Sequence, residues 1–466
     1  MKVLRGFFIL LLICLTLNPS PANAFFKKKP KNLDNKNLEI ETDQEKLIKK
    51  DFYNDTNAYE KLADVNRPPE PPFILINSDH PNNEEISTLN ALNQMPQDDK
   101  TKFLKAQAYY DMHMWSDSKK ALKGVTTKEA DKLRYKIRRD DAIRIKPEYS
   151  FYLQRLADEF KLDGHRFGIN VSKNTENNKN VFMEYNVIVY SSGSKIHANN
   201  VVHEFKGGVK ARPSEKWEYR SDLGVKAFEY GNGAMIISDS WIKHYFNDKF
   251  NLKAGYRRNN VEQSYISAVG APIDGIFTGR ACDNKFYIEA NENLPHKFYS
   301  YQMGSFGVIY AQNLPTNEYF EGRIGAGKLL YNNPRNKWIN TFSADVVSYN
   351  SSYQYNLLKI YSSKGSLFGG YFSPAYFNAN TLNLKAEGNI KKLHLKYGVL
   401  AFGGIQTAIT PDHTTPAWGF SPYIAYDLND NVCINAAYSH IDYASVQRDI
   451  LTINAVIRLY KKRTKS

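Results

Sequence analysis

The residues that usually carry chemistry are thinly spread in this chain. Ten histidines are present, yet no two stand at the helical spacing of a zinc site. His197 and His203 fall on the same side of an extended run, where a lone histidine is a surface or lumen residue. GRIGAGKLL (322–330) has the glycines of a phosphate loop but neither its spacing nor a Ser or Thr after Lys328, so it reads as a glycine-thinned strand. Carboxylates such as Asp239 in NGAMIISDSW are scattered, and no pattern sets two at the separation a glycosidase needs. What remains is rings. In GGYFSPAYF (369–377), alternation places Tyr371, Ser373, Ala375 and Phe377 on one face and Phe372, Pro374 and Tyr376 on the other. Rings on both faces, with a proline that belongs at an edge or bulge, suit a soluble sheet poorly. They suit an interfacial belt or a stacking surface equally. No cofactor or metal is implied.

The elements that must position those rings follow from patterning. Residues 1–24 carry Lys2 and Arg5, an apolar run from Phe7 to Leu17 and a small-residue ending, which predicts a secretory signal peptide that also takes Cys14. Residues 25–84, rich in Lys, Asn and Pro, read as a polar linker. From residue 85 the pattern turns helical. KFLKAQAYYDMHMWSDSKKAL (102–122) has Ala106, Tyr109, Tyr110, Trp115, Ser118 and Leu122 in the small/large order of one tetratricopeptide helix pair. A helix is expected over 128–145, and Pro147 is expected to open another carrying Tyr149, Tyr152, Leu153, Leu156 and Phe160. The helical segment is thus bounded at 85–160.

After Gly164 the period changes to two. Leu393, Leu395, Tyr397, Val399 and Ala401 share a face; so do Trp418, Phe420, Ile424, Tyr426 and Leu428. Leu451, Ile453, Ala455, Ile457 and Leu459 share another, with Val456 as the exception. About sixteen such runs fit between Asn, Gly, Pro and Ser turns. Alternation alone reads the same for stacked soluble sheets and for a closed barrel with lipid outside and a polar lumen inside. The signal peptide, the 14% aromatic content with 32 tyrosines, and the lack of a catalytic constellation favour the barrel over 161–466. The mean hydropathy is −0.53, and after the leader no run is long and apolar enough for a spanning helix. Of the formal charge of +14, residues 161–466 hold 35 Lys and Arg against 24 Asp and Glu, an excess of 11. Such an excess either attracts acidic partners or keeps a surface solvated. Cys282 and Cys433, far apart in sequence, are expected to stay as packed residues.

GGYFSPAYF resembles the Gly-Gly-Tyr-Phe-Ser-Pro string in the C-terminal domain of the outer-membrane export component of bacterial cellulose synthase. VEQSYISAVGAPIDGIFTGRA (261–281) is similar to a second run of that family, retaining Val261, Ser264, Ser267, Gly270, Asp274 and Gly279. It departs at Gln263, at Ala268-Val269 and at Thr278. The resemblance spans roughly residues 161–460. It implies a mainly β protein: an antiparallel outer-membrane β-barrel of about sixteen strands, preceded by tetratricopeptide-like helices in the periplasm. The implied function is non-enzymatic export of an exopolysaccharide, cellulose or a related β-glucan. Its partners would be the polysaccharide chain, outer-membrane lipid and periplasmic or inner-membrane synthase components, without nucleic acid. Tyr371, Phe372, Ser373, Tyr376, Phe377 and Asp274 are the expected path residues. The helical part is shorter than the family's repeat arrays, and the chain ends KKRTKS after Tyr460 rather than on an aromatic. A surface carbohydrate-active enzyme on a β-sandwich and a general porin are the competing readings.

Overall fold

The computed structural model describes residues 85–458 with short breaks, the longest at 193–199, 352–358 and 369–376. Among the described residues four helices come first: α1 (Glu85–Asn93), α2 (Asp99–Asp111), α3 (Trp115–Ala121) and α4 (Lys128–Arg144). An antiparallel meander follows: β1 (Glu148–Asp158), β2 (Leu162–Thr175), β3 (Lys179–Ser192), β4 (Asn200–Ser214), β5 (Trp217–Phe228), β6 (Gly233–Asn247) and β7 (Phe250–Asn260). Helix α5 (Tyr265–Val269) and the short β8 (Ala271–Ile273) lead into β9 (Ile276–Asn293), β10 (Phe298–Gln312), β11 (Asn317–Asn333) and β12 (Trp338–Ser351). A separate hairpin, β13 (Lys359–Ser362) with β14 (Gly365–Phe368), precedes β15 (Phe377–Ile390), β16 (Leu395–Ala408), β17 (Thr414–Asn429), β18 (Val432–Tyr443) and β19 (Val446–Arg458).

Each long strand pairs with the next, β9 pairs with β7 across the α5–β8 insertion, and β1 pairs with β19. The sheet therefore closes on itself and has no free edge among its sixteen described wall strands. The shortest wall strands have 11 residues. At about 3.3 Å per residue and a tilt near 40° they still span the roughly 25 Å apolar band of a membrane barrel.

Side chains are distributed inside out. Phe167, Ile169, Phe205, Leu223, Ile288, Phe320, Leu382, Ile424, Leu451 and Ile453 are exposed on the outer face, whereas Arg166, Glu204, Lys226, Asn383, Ser439 and Asn454 are buried on the inner one. A soluble sandwich would reverse this, because apolar surface leaves water and charge stays in it. Val456 is buried inward, as its break in the pattern implied. Rings gather toward both rims of the outer face. Trp217, His244, Phe246 and Phe250 make contacts of 4.1–5.4 Å near one end. Trp418, Phe420, Tyr438 and His440 cluster toward the other, Trp418 lying 4.8 Å from His440 and 6.4 Å from Phe420. Two such girdles mark the interfaces of an outer-membrane barrel.

Tyrosine–glycine pairs stiffen the wall. Tyr152 stands directly opposite Gly168, Tyr287 opposite Gly255, Tyr319 opposite Gly307 and Tyr423 opposite Gly398. In each case the ring lies over the glycine; a Cβ on Gly307 would sit 2.1 Å from the Tyr319 ring. Lying flat, the phenols reach one strand further. Tyr319 donates to Asp283 at 2.9 Å, Tyr423 to Glu387 at 2.8 Å, and Tyr152 to Asn186.

Residues 148–158 correct the expected helix after Pro147: they are strand β1, paired along their length with both β19 and β2. The three-and-four spacing of Tyr149, Tyr152, Leu153 and Leu156 coincides with a period-two pattern in which Phe151 and Leu153 face out while Ser150 and Gln154 face in. Closing the ring supplies two hydrogen-bonded neighbours that a local helical pattern cannot match. The barrel therefore begins at Glu148. Phe160 lies outside the described residues.

The preceding helices pack as the small/large pattern requires. Ala106 and Ser118 are fully buried, the Ser118 hydroxyl donates to the Ala106 carbonyl at 2.6 Å, and Tyr110 meets Trp115 edge-on at 4.8 Å. Asp98 caps α2 by accepting from the Thr101 N–H at 2.7 Å, which holds its carboxyl below the usual value. The bundle docks on short turns at one end of the barrel. The Asp248 carboxylate, in the β6–β7 turn, accepts from the N–H groups of Ile86 and Ser87 at 2.7 and 2.8 Å, so a barrel turn caps α1. Asn178, in the β2–β3 turn, donates to Asp117 and accepts from Ser116; Arg212 donates to the Met112 carbonyl.

Candidate functional site

The inner face has two unlike walls. From β2 to β11 it carries charge in four ion pairs and a triad: Lys206–Glu184, Arg220–Asp222, Lys226–Glu204, Lys253–Glu289, and Glu321 between Lys285 and Arg323. Each of these cations has a carboxylate within 3.4 Å. From β16 round to β1, the inward polar positions are neutral apart from Arg448 near the plug: Gln406, Ser421, Asn435, Ser439, Thr452, Asn454, Ser150 and Gln154, interspersed with Ala425 and Ala437 and with the larger Leu400, Phe402, Tyr423 and Ile450. They bond among themselves, Ser150 to Asn454 at 2.7 Å and Ser421 to Ser439 at 3.0 Å. Lys385 and Glu387 on β15 bound this wall on one side and Arg166 on β2 on the other.

Residues 261–262 and 264–273 fold into the lumen from the end opposite the helices and form a plug. Ser264 caps α5 through a reciprocal bond pair with Ser267, and all five residues of α5 are buried. Tyr265, Ala268 and Val269 pack with Leu162, Tyr190, Phe228 and Ile237, inward residues of β2, β3, β5 and β6, and with Cys282. One Asn260 carboxamide donates to the carbonyls of Ala268 and Ala281, both at 3.0 Å. The Arg280 guanidinium donates to the Val269 carbonyl and lies over the rings of Phe228 and Phe277 at 4.3 and 4.7 Å.

Glu262 is the hub on the lumen side. Its carboxylate accepts from Arg166 at 3.0 Å and Lys226 at 2.6 Å, and its carbonyl accepts from Arg448 at 3.3 Å. Residues from β2, β5 and β19 thus converge on one plug residue. The backbone explains two of the family-like glycines. Gly270 has φ +79° and Gly279 φ +100°, and a Cβ at Gly279 would lie 2.2 Å from the Ile266 carbonyl oxygen. Val261, Ser264, Ser267, Gly270 and Gly279 all serve this plug.

Asp274, Tyr371, Phe372, Ser373 and Tyr376 lie outside the described residues. Phe377 opens β15, turned inward and only 1% exposed. GRIGAGKLL is part of β11, as its glycine-thinned reading required. His203 is half-buried on the outer face beside Tyr185, while His197 falls outside the described residues. Cys282 and Cys433 are both buried thiols. Sequence reasoning passed over Arg166, Lys226, Glu262 and Arg448. The available signal was a charge on the polar register of an alternating strand, as Arg166 is beside Phe167. What each charge meets depends on pairings far away in sequence.

No protein-family model and no curated relative matches the chain. Among solved structures, a bacterial polysaccharide outer membrane secretin aligns over 68% of this chain and 99% of its own, at 10% identity and a TM-score of 0.48. CdiB from Acinetobacter baumannii aligns over 67% and 60%, at 8% identity and 0.38. Pseudomonas aeruginosa OccK5 aligns over 68% and 98%, at 8% identity and 0.34. The architecture rests on the strand pairing itself, which is that of an outer-membrane β-barrel.

Proposed function

We propose that this protein is an outer-membrane export pore for a neutral polysaccharide, cellulose or a related β-glucan, and that it belongs with the outer-membrane export components of cellulose synthases. The observation that carries the reading is the division of the lumen. A neutral glucan offers hydroxyl edges and no charge, so a moving chain needs weak, exchangeable hydrogen bonds. The serine, threonine and carboxamide wall from β16 to β1 is of that kind. The opposite wall sets six described cations against five carboxylates, each cation within ion-pair distance of one, and so adds little net field to hold an acidic chain.

The mechanism follows from that arrangement. The chain threads along the neutral wall once the side chains now packed over it part, exchanging hydrogen bonds among Ser150, Asn454, Asn435 and Ser439, which are buried in the resting barrel. Phe377, at the end of β15 away from the helices, supplies a ring for stacking near the exit, and the resemblance adds Tyr371, Phe372, Ser373 and Tyr376 as path residues. Both described termini of the barrel lie at the helix-bearing end, which faces the periplasm in this reading. There α1–α4 dock a periplasmic or synthase partner that delivers polymer. Export from cells carrying the wild-type gene is the test. The protein should appear as a heat-modifiable band in outer membranes, and its loss should abolish extracellular glucan while membrane synthase activity persists. Recovery in the soluble periplasmic fraction would overturn the reading. Deleting residues 85–144 should leave the barrel assembled and stop export. A deletion reaching residue 160 tests nothing, because it removes β1.

A further inference from the structure

We propose that the outer face of the barrel at its helix-bearing rim, between β5 and β7, binds a phospholipid with an anionic headgroup; this rests on the export reading only for the orientation that puts this rim in the periplasmic leaflet. Four rings form one cluster there. His244 lies 4.1 Å from Trp217 and 4.5 Å from Phe246, and Phe246 lies 5.4 Å from Phe250. Trp217 and Phe246 are exposed, as is Ile242 two residues deeper on the same face of β6. Rings at the interface with an aliphatic residue above them suit a lipid whose chains run up the wall. Charge lies directly beneath. Lys216 in the β4–β5 turn precedes Trp217, Lys249 in the β6–β7 turn precedes Phe250, and both lysines are exposed.

The girdle at the opposite rim makes the contrast. There the ring cluster has its own acid: His440 Nδ1 meets the Asp449 carboxylate at 2.8 Å, and Tyr438 donates to the same group. At the helix-bearing rim the buried Nδ1 of His244 has no partner among the described residues. A buried polar atom among rings calls for one. The acids of the neighbouring turns are engaged on other sides: both Asp248 oxygens accept from α1, and Glu218 accepts from Tyr245 and pairs with Lys210. The charge of Glu215 acts on Tyr109 of α2. Neighbouring strands lie about 4.8 Å apart, so the turns carrying Lys216 and Lys249 fall within the span of one headgroup. A phosphodiester supplies the negative charge those lysines take. A zwitterionic headgroup brings its own cation and gains less.

Native mass spectrometry of the full-length protein in detergent reads this directly and needs no knowledge of the cargo. With phosphatidylglycerol and phosphatidylcholine of equal chains added together, the barrel should retain phosphatidylglycerol about tenfold more, and salt should erode the preference because the lysines are exposed. Lys216→Gln combined with Lys249→Gln should abolish the preference in a barrel that is still heat-modifiable. Lys328→Gln, at the same rim beside Phe298, should leave it unchanged. A second measurement locates the lipid. Phosphatidylglycerol with brominated chains should quench tryptophan fluorescence more than brominated phosphatidylcholine, and Trp217→Phe should remove the difference. Equal retention of the two lipids, or an undiminished preference in the assembled double variant, would overturn the site. So would a stronger preference for lipopolysaccharide lost with the same two lysines, which would also reverse the orientation. A selective site in a protein that exports no glucan would uphold the site and remove only the export reading.

Discussion

Between β2 and β11 the lumen face is held by ion pairs, and between β16 and β1 by hydroxyls and carboxamides. Both walls keep polar groups inside a barrel whose outer face is apolar, but they respond differently to change. A buried ion pair is geometrically demanding and expensive to break, which suits a wall that must anchor a plug. A neutral hydrogen-bonding surface exchanges partners at little cost, which suits a wall along which something slides. The lumen therefore divides its labour between holding and passing.

That contrast can be broken at the scaffold first. Gly307→Val should be a severe change on the charged side, because its side chain must displace the Tyr319 ring and with it the bonds to Asp283. Overpacking of this kind costs about 1–3 kcal/mol. The orphaned carboxylate adds to it, so little heat-modifiable barrel should be recovered. Next, Glu321→Gln leaves Lys285 and Arg323 facing one another and should lower stability by about 3–5 kcal/mol in denaturant titrations of the detergent-solubilised barrel. Ser439→Ala on the neutral wall should cost only about 1 kcal/mol in the same titration. Equal losses would erase the distinction between the walls.

Smaller effects lie at the helix-bearing end. Asp248→Ala removes the cap of α1 and should cost about 0.5–2 kcal/mol, read as faster proteolysis of residues 85–144 with the barrel intact. The smallest concerns Asp98, whose carboxyl is held below its usual value by the Thr101 N–H. Because the folded value is the lower one, its contribution is present above the unfolded value of about 3.9 and fades as pH falls through the folded value. Helical circular dichroism of the wild type should therefore decline more in strong acid than that of Asp98→Asn.

The neutral wall was the more legible of the two. Strands β16 to β19 alternate cleanly: Trp418, Phe420 and Ile424 face lipid as their spacing required, and even the Val456 exception points inward. The helices were legible too, since Ala106 and Ser118 make contact where small residues recur. The charged wall was readable as strands but not as a site. That Glu262 meets Arg166, Lys226 and Arg448 depends on a chain reversal into the lumen and on closure of the ring, neither of which leaves a local period. The same closure made β1 a strand despite its helical spacing. The 261–281 stretch resembled a family motif, yet only the folded backbone explains why Gly270 and Gly279 must be glycines.

Current through single open channels, measured as neutral cello-oligosaccharides and then acidic oligosaccharides of equal length are added, tests the central claim most directly. Neutral oligomers should interrupt the current briefly and reversibly, with acidic ones at least several-fold less effective, and Asn454→Asp should shorten or abolish the neutral blocks. Open channels that neutral oligosaccharides never interrupt, or that acidic ones block equally well, would contradict passage along the neutral wall.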